Sequence, residues 1–511
     1  MVSASENNKR IAKNTVILYC RMFLMLAIGL FTSRVILQTL GVEDYGVYNA
    51  VGGFVAMFGL LSGTLVMAIN RFLTFELGKG DQQKLMRVFS TSLNVMFILS
   101  GVILLAGATL GVWFLNTQMN IPDGRMGAAN IVLICSVLTF IINLISVPYN
   151  ASIISHEKMS AFAYISLLEI SAKLGIVYAL YLTSADKLVM YAIMLLTLQL
   201  LVRFIYGVYC KRHFVECSYH FILDKPLLKE MLTFAGWTFI GGSAGLINNT
   251  GVNVLMNVFF GVTVNAARGI AVQVNGHVQQ FVTNFLMAVN PQITKSYAQG
   301  DYAYMHSLVC RGAKFSYFLM FIFLVPISLE ANQLLKIWLG QVPDYAVIFV
   351  QLALVMTTMN SVTITLITAI HATGNLKRFQ IITGIVETMN FPLTYIVFLL
   401  GAPPQSAYYV YFVVYFILMI LRLYLVKDLI HMKASYFIKK VYVKIVLVSA
   451  LAIVVPIVLR LLIAEETFLR FLVVCTASFI SSFSIIYLVG LDVGERQLVI
   501  KLIKKRVLHS A

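Results

Sequence analysis

The sequence predicts an all-α integral membrane protein of about 14 transmembrane helices, built as two six-helix lobes related by a parallel internal repeat plus a two-helix C-terminal extension. Three observations carry this. The mean hydropathy is +0.87 over 511 residues, and only 12% of them are charged, against about 25% in a soluble domain. Apolar stretches long enough to cross a bilayer recur along the whole chain. Basic residues alternate from loop to loop, and a stretch near the N-terminus returns 220 residues later.

In order, the apolar segments fall near 14-40, 47-69, 90-115, 127-149, 160-183 and 188-210 in a first lobe (1-225). They continue near 234-259, 266-290, 314-335, 345-370, 379-400 and 406-426 in a second lobe (226-435). The extension (436-511) holds segments near 441-463 and 469-490 and a basic tail, "RQLVIKLIKKR". Each segment is long enough to span. The leader "MVSASENNKRIAKN" feeds a span too long for a signal h-region, with no small-residue cleavage site behind it, so the first span is expected to be retained. Pro326, Pro392 and Pro456 mark expected bends.

With the N-terminus inside, the outside loops hold only Arg125, Lys187, Arg268, Lys336 and Arg470, and most of the 38 Lys and Arg residues fall on cytoplasmic segments. That is the positive-inside pattern, and it places both termini in the cytoplasm. The net charge of +17 is therefore read as topology, with the tail touching anionic headgroups, and not as a nucleic-acid surface. The six cysteines show no C-x-x-C spacing, so free thiols are expected, with no disulfide and no metal.

The repeat is an ungapped match of "GVEDYG...MAINRFLTFELGKGD" (41 to 81) over "GVTVNA...MAVNPQITKSYAQGD" (261 to 301), with eight identities in 41 positions, among them Gly41/Gly261, Asn70/Asn290, Gly80/Gly300 and Asp81/Asp301. Six spans separate the two copies. An even number keeps their orientation, which implies an axis along the membrane normal.

One segment is too polar for its surroundings: "RGIAVQVNGHVQQFVTNF", from Arg268 to Phe285. At about 100° per residue, Gln273, His277, Gln280 and Asn284 share one stripe, and Arg268, Asn275 and Gln279 form another. Asn249, Asn253 and Asn257 line up on the preceding span. Amides commonly join transmembrane helices at about 0.6 kcal/mol per bond, which explains the asparagines alone. An arginine at a helix centre costs about 2.5 to 3.5 kcal/mol and is retained mostly where it faces water or a ligand. Of the intramembrane cations, Arg203, Arg422 and Arg460 lie near span ends and are expected to snorkel, and Lys173 follows Glu169 by four residues as in a helical ion pair. Arg21, Arg34 and Arg268 remain as candidates for binding. Asn249, Asn253, Asn275, His277, Gln280 and Asn284 are expected to line a cavity. No acid occurs between Glu230 and Asp301 or in the first two spans, so cations and amides without counter-acids point to an anion, and phosphate suits the guanidinium fork.

Loops too short to hold a soluble domain leave no room for catalysis outside the membrane, and no Walker motif binds ATP. Glu43 and Asp44 in "GVEDYG" are acids of the kind a membrane glycosyltransferase places outside, but a solvated turn or cap explains them. No large outside loop of the kind expected in a polymerase is present.

The stretch "NTVILYCRMFLMLAIGLFTSRVILQTLGVEDYGVYNAV", with its R-x-x-x-x-x-LG-x-x-x-YG turn, and the two-lobe plan resemble the polysaccharide and O-antigen flippases (Wzx type) of the multidrug/oligosaccharidyl-lipid/polysaccharide exporter superfamily. The resemblance implies a non-enzymatic flippase, without cofactor, in a bacterial cytoplasmic (inner) membrane. Its cargo would be a polyprenyl-diphosphate-linked oligosaccharide carried from the inner to the outer leaflet by alternating access, with a polysaccharide polymerase and glycosyltransferases as possible partners. Related lipid II flippases place essential arginines in the first and eighth helices, which Arg21, Arg34 and Arg268 match by helix. The alternative is a MATE-like cation-coupled exporter of small molecules, for which Glu387 is the candidate coupling residue and Glu169 is set aside by its pairing with Lys173.

Overall fold

The computed structural model describes residues 4–497 apart from 118, 120, 123 and 223; most of the basic tail lies outside the described residues. All regular structure among them is helical: α1 (Ala4–Ala56), α2 (Gly59–Lys79), α3 (Gln82–Thr117), α4 (Met126–Ser155), α5 (Met159–Leu182), α6 (Lys187–His213), α7 (Lys225–Ala298), α8 (Tyr302–Leu329), α9 (Ala331–Leu339), α10 (Ala346–Thr373), α11 (Lys377–Leu399), α12 (Ser406–Ile430), α13 (Ala434–Leu462) and α14 (Phe468–Gly490).

Short polar side chains set where several of these begin. Asp81 accepts from Lys84 N at 3.0 Å, Asp224 from Leu227 N at 3.1 Å with Pro226 in the first turn, and Thr467 from Arg470 N at 3.2 Å. Each satisfies an amide that the helix itself leaves open. Gly80, at φ 77°, closes α2 in the left-handed conformation.

Eleven helices among the described residues are long and apolar enough to cross a membrane, so this is a multi-pass membrane protein. The expected spans at 47-69, 234-259 and 266-290 are not among the eleven. The first of them is interrupted at Met57 and Phe58, where Met57 N bonds Phe54 O at 3.2 Å. The other two lie in α7, where asparagines, glutamines and glycines dilute the apolar surface. Large apolar side chains elsewhere face outward, as with Leu105, Phe204 and Val446, which suits a lipid solvent.

Two long helices contain a sharp break at one glycine. Gly41 has φ 80° and ψ 170° inside α1, and Gly261 has φ 81° and ψ −177° inside α7, a region open only to glycine. Gly41 and Gly261 are 220 positions apart, as are Gly80 and Gly300 (φ 77° and 75°). The starts of α3 and α8, at Gln82 and Tyr302, and of α4 and α10, at Met126 and Ala346, keep the same spacing.

The expected proline bends divide. α11 breaks at Met389 and α13 at Ile453, three residues before Pro392 and Pro456, where the ring displaces the carbonyl ladder. Pro326 sits within an uninterrupted α8.

The chain forms two units, Met1–Phe239 with Met287–Asp301, and Ile240–Leu286 with Tyr302–Ala511. The start of α7 thus goes with the first unit, where Phe234 meets Phe72 edge-on at 5.9 Å, and the last two helices go with the second. In the first unit Val35 and Leu40 pack on Val177, Leu180 and Tyr191. In the second, Ala267, Ala271, Val274, Val278 and Val282 form one stripe of α7 against Phe349, Val350 and Leu354 of α10. Burying that stripe fixes which side chains of α7 turn the other way.

Candidate functional site

Arg268 sits on the flank of that stripe, about 100° round the helix from Ala267, and is 9% exposed. Its Nη1 donates to Asn253 Oδ1 at 2.9 Å and to Asn249 O at 3.2 Å, and its Nη2 donates to Asn249 Oδ1 at 3.1 Å. On a straight helix, residues 15 apart lie about 22 Å from each other. The break at Gly261 is what folds one half of α7 onto the other and lets two asparagines solvate a buried charge. All three acceptors are amide oxygens, and none is a carboxylate.

Arg268 lines a cavity of about 300 Å³ inside the second unit, with Asn249, Asn275 and Gln279 from α7, Glu387 from α11 and Tyr408 from α12. Asn248, Asn390 and Tyr411 complete its polar lining. Asn248 Nδ2 donates to the backbone carbonyl of Glu387. The Oδ1 atoms of Asn248, Asn275 and Asn390 are buried without a hydrogen-bond partner among the described residues. The Glu387 carboxylate has no ion-pair partner among the described residues, and it faces Gly245, where an added Cβ would lie 3.4 Å from Oε1. Its field is shared with Arg422.

The other residues singled out from the sequence lie elsewhere. Asn253 holds Arg268 and does not itself line the cavity. His277 and Gln280 are exposed on the second polar stripe of α7. Asn284 is 1% exposed and donates to Gln280 O at 2.9 Å, within its own helix. Arg21 lines a separate cavity of about 210 Å³ in the first unit with Glu169, Lys173, Gln199 and Tyr206. Its Nε donates to Ser166 Oγ at 2.7 Å, and its guanidinium lies 4.6 Å from the Phe162 ring. Lys173 and Glu169 pair at 2.7 Å across one helical turn. Arg34 is exposed beside Phe31, Gln38 and Tyr181, so Arg21 and Arg34 do not share a cavity.

Two expectations change. Arg422 does not snorkel: it is 7% exposed, Nη1 donates to Thr363 Oγ1 at 2.8 Å, and the guanidinium lies 5.8 Å from the Tyr415 ring. α12 turns that face onto α10, whose hydroxyl takes the place of headgroup water. Arg203 stacks on Tyr149 at 3.9 Å, whereas Arg460 is exposed. Asp44 is neither a free acid nor a cap, since Arg125 holds it through Nε at 2.7 Å and Nη2 at 2.5 Å and reaches Asp186 at 2.6 Å with Nη1.

Asn248, Asn390, Tyr408 and Tyr411 were not picked out in the sequence. Asn390 follows Glu387 by three residues, and Tyr411 follows Tyr408 by three, so one-face spacing on α11 and α12 was the available signal.

No family model matches the chain, and no curated protein matches it. Among solved structures it is similar to a MATE in the straight conformation (14% identity, TM-score 0.69, covering 83% of this chain and 97% of that one). It is also similar to an outward-facing multidrug resistance MATE family transporter of the MOP superfamily (14%, 0.66, 83% and 97%). A third is a MOP superfamily transporter from Pyrococcus furiosus, described by a reverse polarity of its binding pocket that suggests a different function (14%, 0.66, 82% and 96%). At these identities the likeness is one of fold: the chain has the fold of these transporters over nearly their whole length.

Proposed function

We propose that this protein is a non-enzymatic exporter of the MOP superfamily, of the polysaccharide-flippase kind. It carries a polyprenyl-diphosphate-linked oligosaccharide from the inner to the outer leaflet of a bacterial cytoplasmic membrane by alternating access, with both termini inside. The carrying observation is Arg268, a buried guanidinium that lines a cavity and is hydrogen-bonded to amide oxygens and the Tyr408 hydroxyl, with no carboxylate partner among the described residues. A cation left without a carboxylate partner in a low-dielectric setting favours an anionic ligand, and a planar fork favours phosphate. Outward movement of an anion follows an inside-negative potential, worth about 2.3 kcal/mol per charge per 100 mV, so no dedicated coupling ion is required. The equal spacing of Gly41 and Gly261, and of the helix starts after them, supports a parallel repeat of two six-helix lobes.

The decisive experiment is a leaflet assay in proteoliposomes with a labelled polyprenyl-diphosphate glycan beside a cationic dye. Glycan flipping that is lost in Arg268→Ala is expected; transport of the dye alone would reverse the reading. One observation favours that second reading, a MATE-like cation-coupled exporter: the Glu387 carboxylate lines the same cavity without an ion-pair partner.

A further inference from the structure

Resting on that reading, we infer that the cavity of the second unit is a sugar-reading subsite. Glu387, Asn248, Asn275 and Asn390 take the hydroxyl and N–H donors of the sugar attached to the phosphate, while Arg268 takes the phosphate. The observation behind it is a set of acceptors that the described residues leave unmet. Asn248 and Asn390 are 4% and 3% exposed, and their Oδ1 atoms, with that of Asn275, have no partner among the described residues. A buried acceptor left open is costly, and three beside an unpaired carboxylate in one cavity call for a ligand carrying several donors. A polyhydroxylated ring has them.

Size and surroundings favour a sugar over a bare cation. About 300 Å³ is at the lower end of small-molecule sites and roughly ten times the share of one water. A metal ion needs its oxygens drawn in to about 2.3–2.6 Å, and a guanidinium lining the same space opposes it. Tyr408 and Tyr411 also line the cavity, and aromatic side chains of this kind combine an apolar body with a hydroxyl.

The repeat supplies an internal control. The positions 220 earlier than Asn248, Arg268, Asn275, Glu387 and Asn390 are Ile28, Tyr48, Val55, Leu167 and Ile170. Tyr48, Gly52, Val55 and Ser136 line a cavity of about 250 Å³ in the first unit, and their counterparts Arg268, Val272, Asn275 and Met356 line the cavity of the second. The first-unit cavity has no charged residue in its lining. The same helical plan therefore packs without charged groups at these corresponding positions.

The test is ligand-detected NMR on the full chain in nanodiscs with three probes: inorganic phosphate, glucose 1-phosphate, and sodium chloride against choline chloride. Glucose 1-phosphate is expected to bind about tenfold more tightly than phosphate, as one or two added hydrogen bonds to charged or buried acceptors allow. Glu387→Gln and, independently, Asn390→Ala are expected to bring that ratio to about one, with Arg268→Ala removing both ligands. Phosphate binding that depends on Arg268 with no preference for the sugar phosphate overturns the subsite and leaves the proposed transport standing. Absence of phosphate binding overturns both. Sodium binding that depends on Glu387, without a sugar preference, gives the cavity to a cation and also overturns the inference.

Discussion

Arg268 Nη1 lies 2.9 Å from Asn253 Oδ1, across a helix break at Gly261. The contact joins two halves of one helix and leaves the guanidinium at the cavity wall. Arg268→Ala removes the charge and the fork and is expected to lower glycan flipping by roughly 10- to 100-fold, the equivalent of about 1.5 to 3 kcal/mol for hydrogen bonds to a charged group. Arg268→Lys keeps the charge but loses the planar fork whose two ends bond Asn253 Oδ1 and Asn249 Oδ1, so an intermediate loss is expected. Protein level and thermal midpoint measured beside flux separate this from misfolding. Full flux in the alanine variant at normal protein level would falsify the assignment.

Gly261 makes that contact possible through its backbone alone. Nothing lies within 4 Å of a Cβ added there, so Gly261→Ala meets no clash, only a φ of 81° that L-residues avoid, at a cost of about 1–3 kcal/mol. Gly175 provides the control, being inside α5 with equally open space and ordinary helical φ. Thermal unfolding in detergent is expected to show a lower midpoint for Gly261→Ala and an unchanged or raised one for Gly175→Ala. Equal midpoints for the two would mean that the break does not constrain this residue.

At the loop end of the first unit, Arg125 joins Asp44 and Asp186. Burial disfavours the charged form of Asp186, but the hydrogen bond from Arg125 and those from the Val189 and Leu188 amides outweigh it and hold the carboxyl below its usual range. A lowered carboxyl stabilises the fold above its unfolded value of about 3.9, and this contribution is lost as pH falls through the folded value. Wild-type protein is therefore expected to lose thermal stability between about pH 4 and the lower folded value, where Asp186→Asn changes less. The effect is small, because Asp186 is partly exposed. A pH profile identical in the two proteins would remove Asp186 from the acid response.

How much of this was legible in the sequence differs by level. Hydropathy locates the helices because lipid leaves the backbone no other way to satisfy itself. The pairing of Gly41 with Gly261 marks both breaks, since a glycine at the end of an apolar run is a strong local signal. Arg268 stands out for its composition, but its contacts with Asn249 and Asn253 do not, because those depend on the angle at Gly261. Arg422 is misread for a similar reason. Its distance from the span end suggests headgroups, whereas the groups that solvate it, Thr363 and Tyr415, are brought in by packing of α12 on α10. Glu387 is visible as a rare intramembrane acid, but its place beside Arg268 in one cavity is a tertiary fact.

Lys314 and Glu495 give the sharpest test of what attaches the C-terminal segment within the second unit. Lys314 Nζ lies 2.7 Å from Glu495 Oε2, with side chains 2% and 5% exposed, and the same oxygen accepts from Asp492 N at 2.8 Å. Removing one member of a buried pair costs up to about 3–5 kcal/mol, here less because Glu495 keeps the partly exposed Arg311 at 3.6 Å, while replacing both by apolar side chains is often neutral or stabilising. Lys314→Met is therefore expected to lower the thermal midpoint, and Lys314→Met with Glu495→Leu to recover most of the loss. The recovery is expected to be incomplete, because the double variant leaves Asp492 N without its acceptor and Arg311, 3.6 Å from Glu495, without its partner. A double variant no better than the single one would show that the pair contributes through its hydrogen bonds and not through the mutual cancellation of two buried charges.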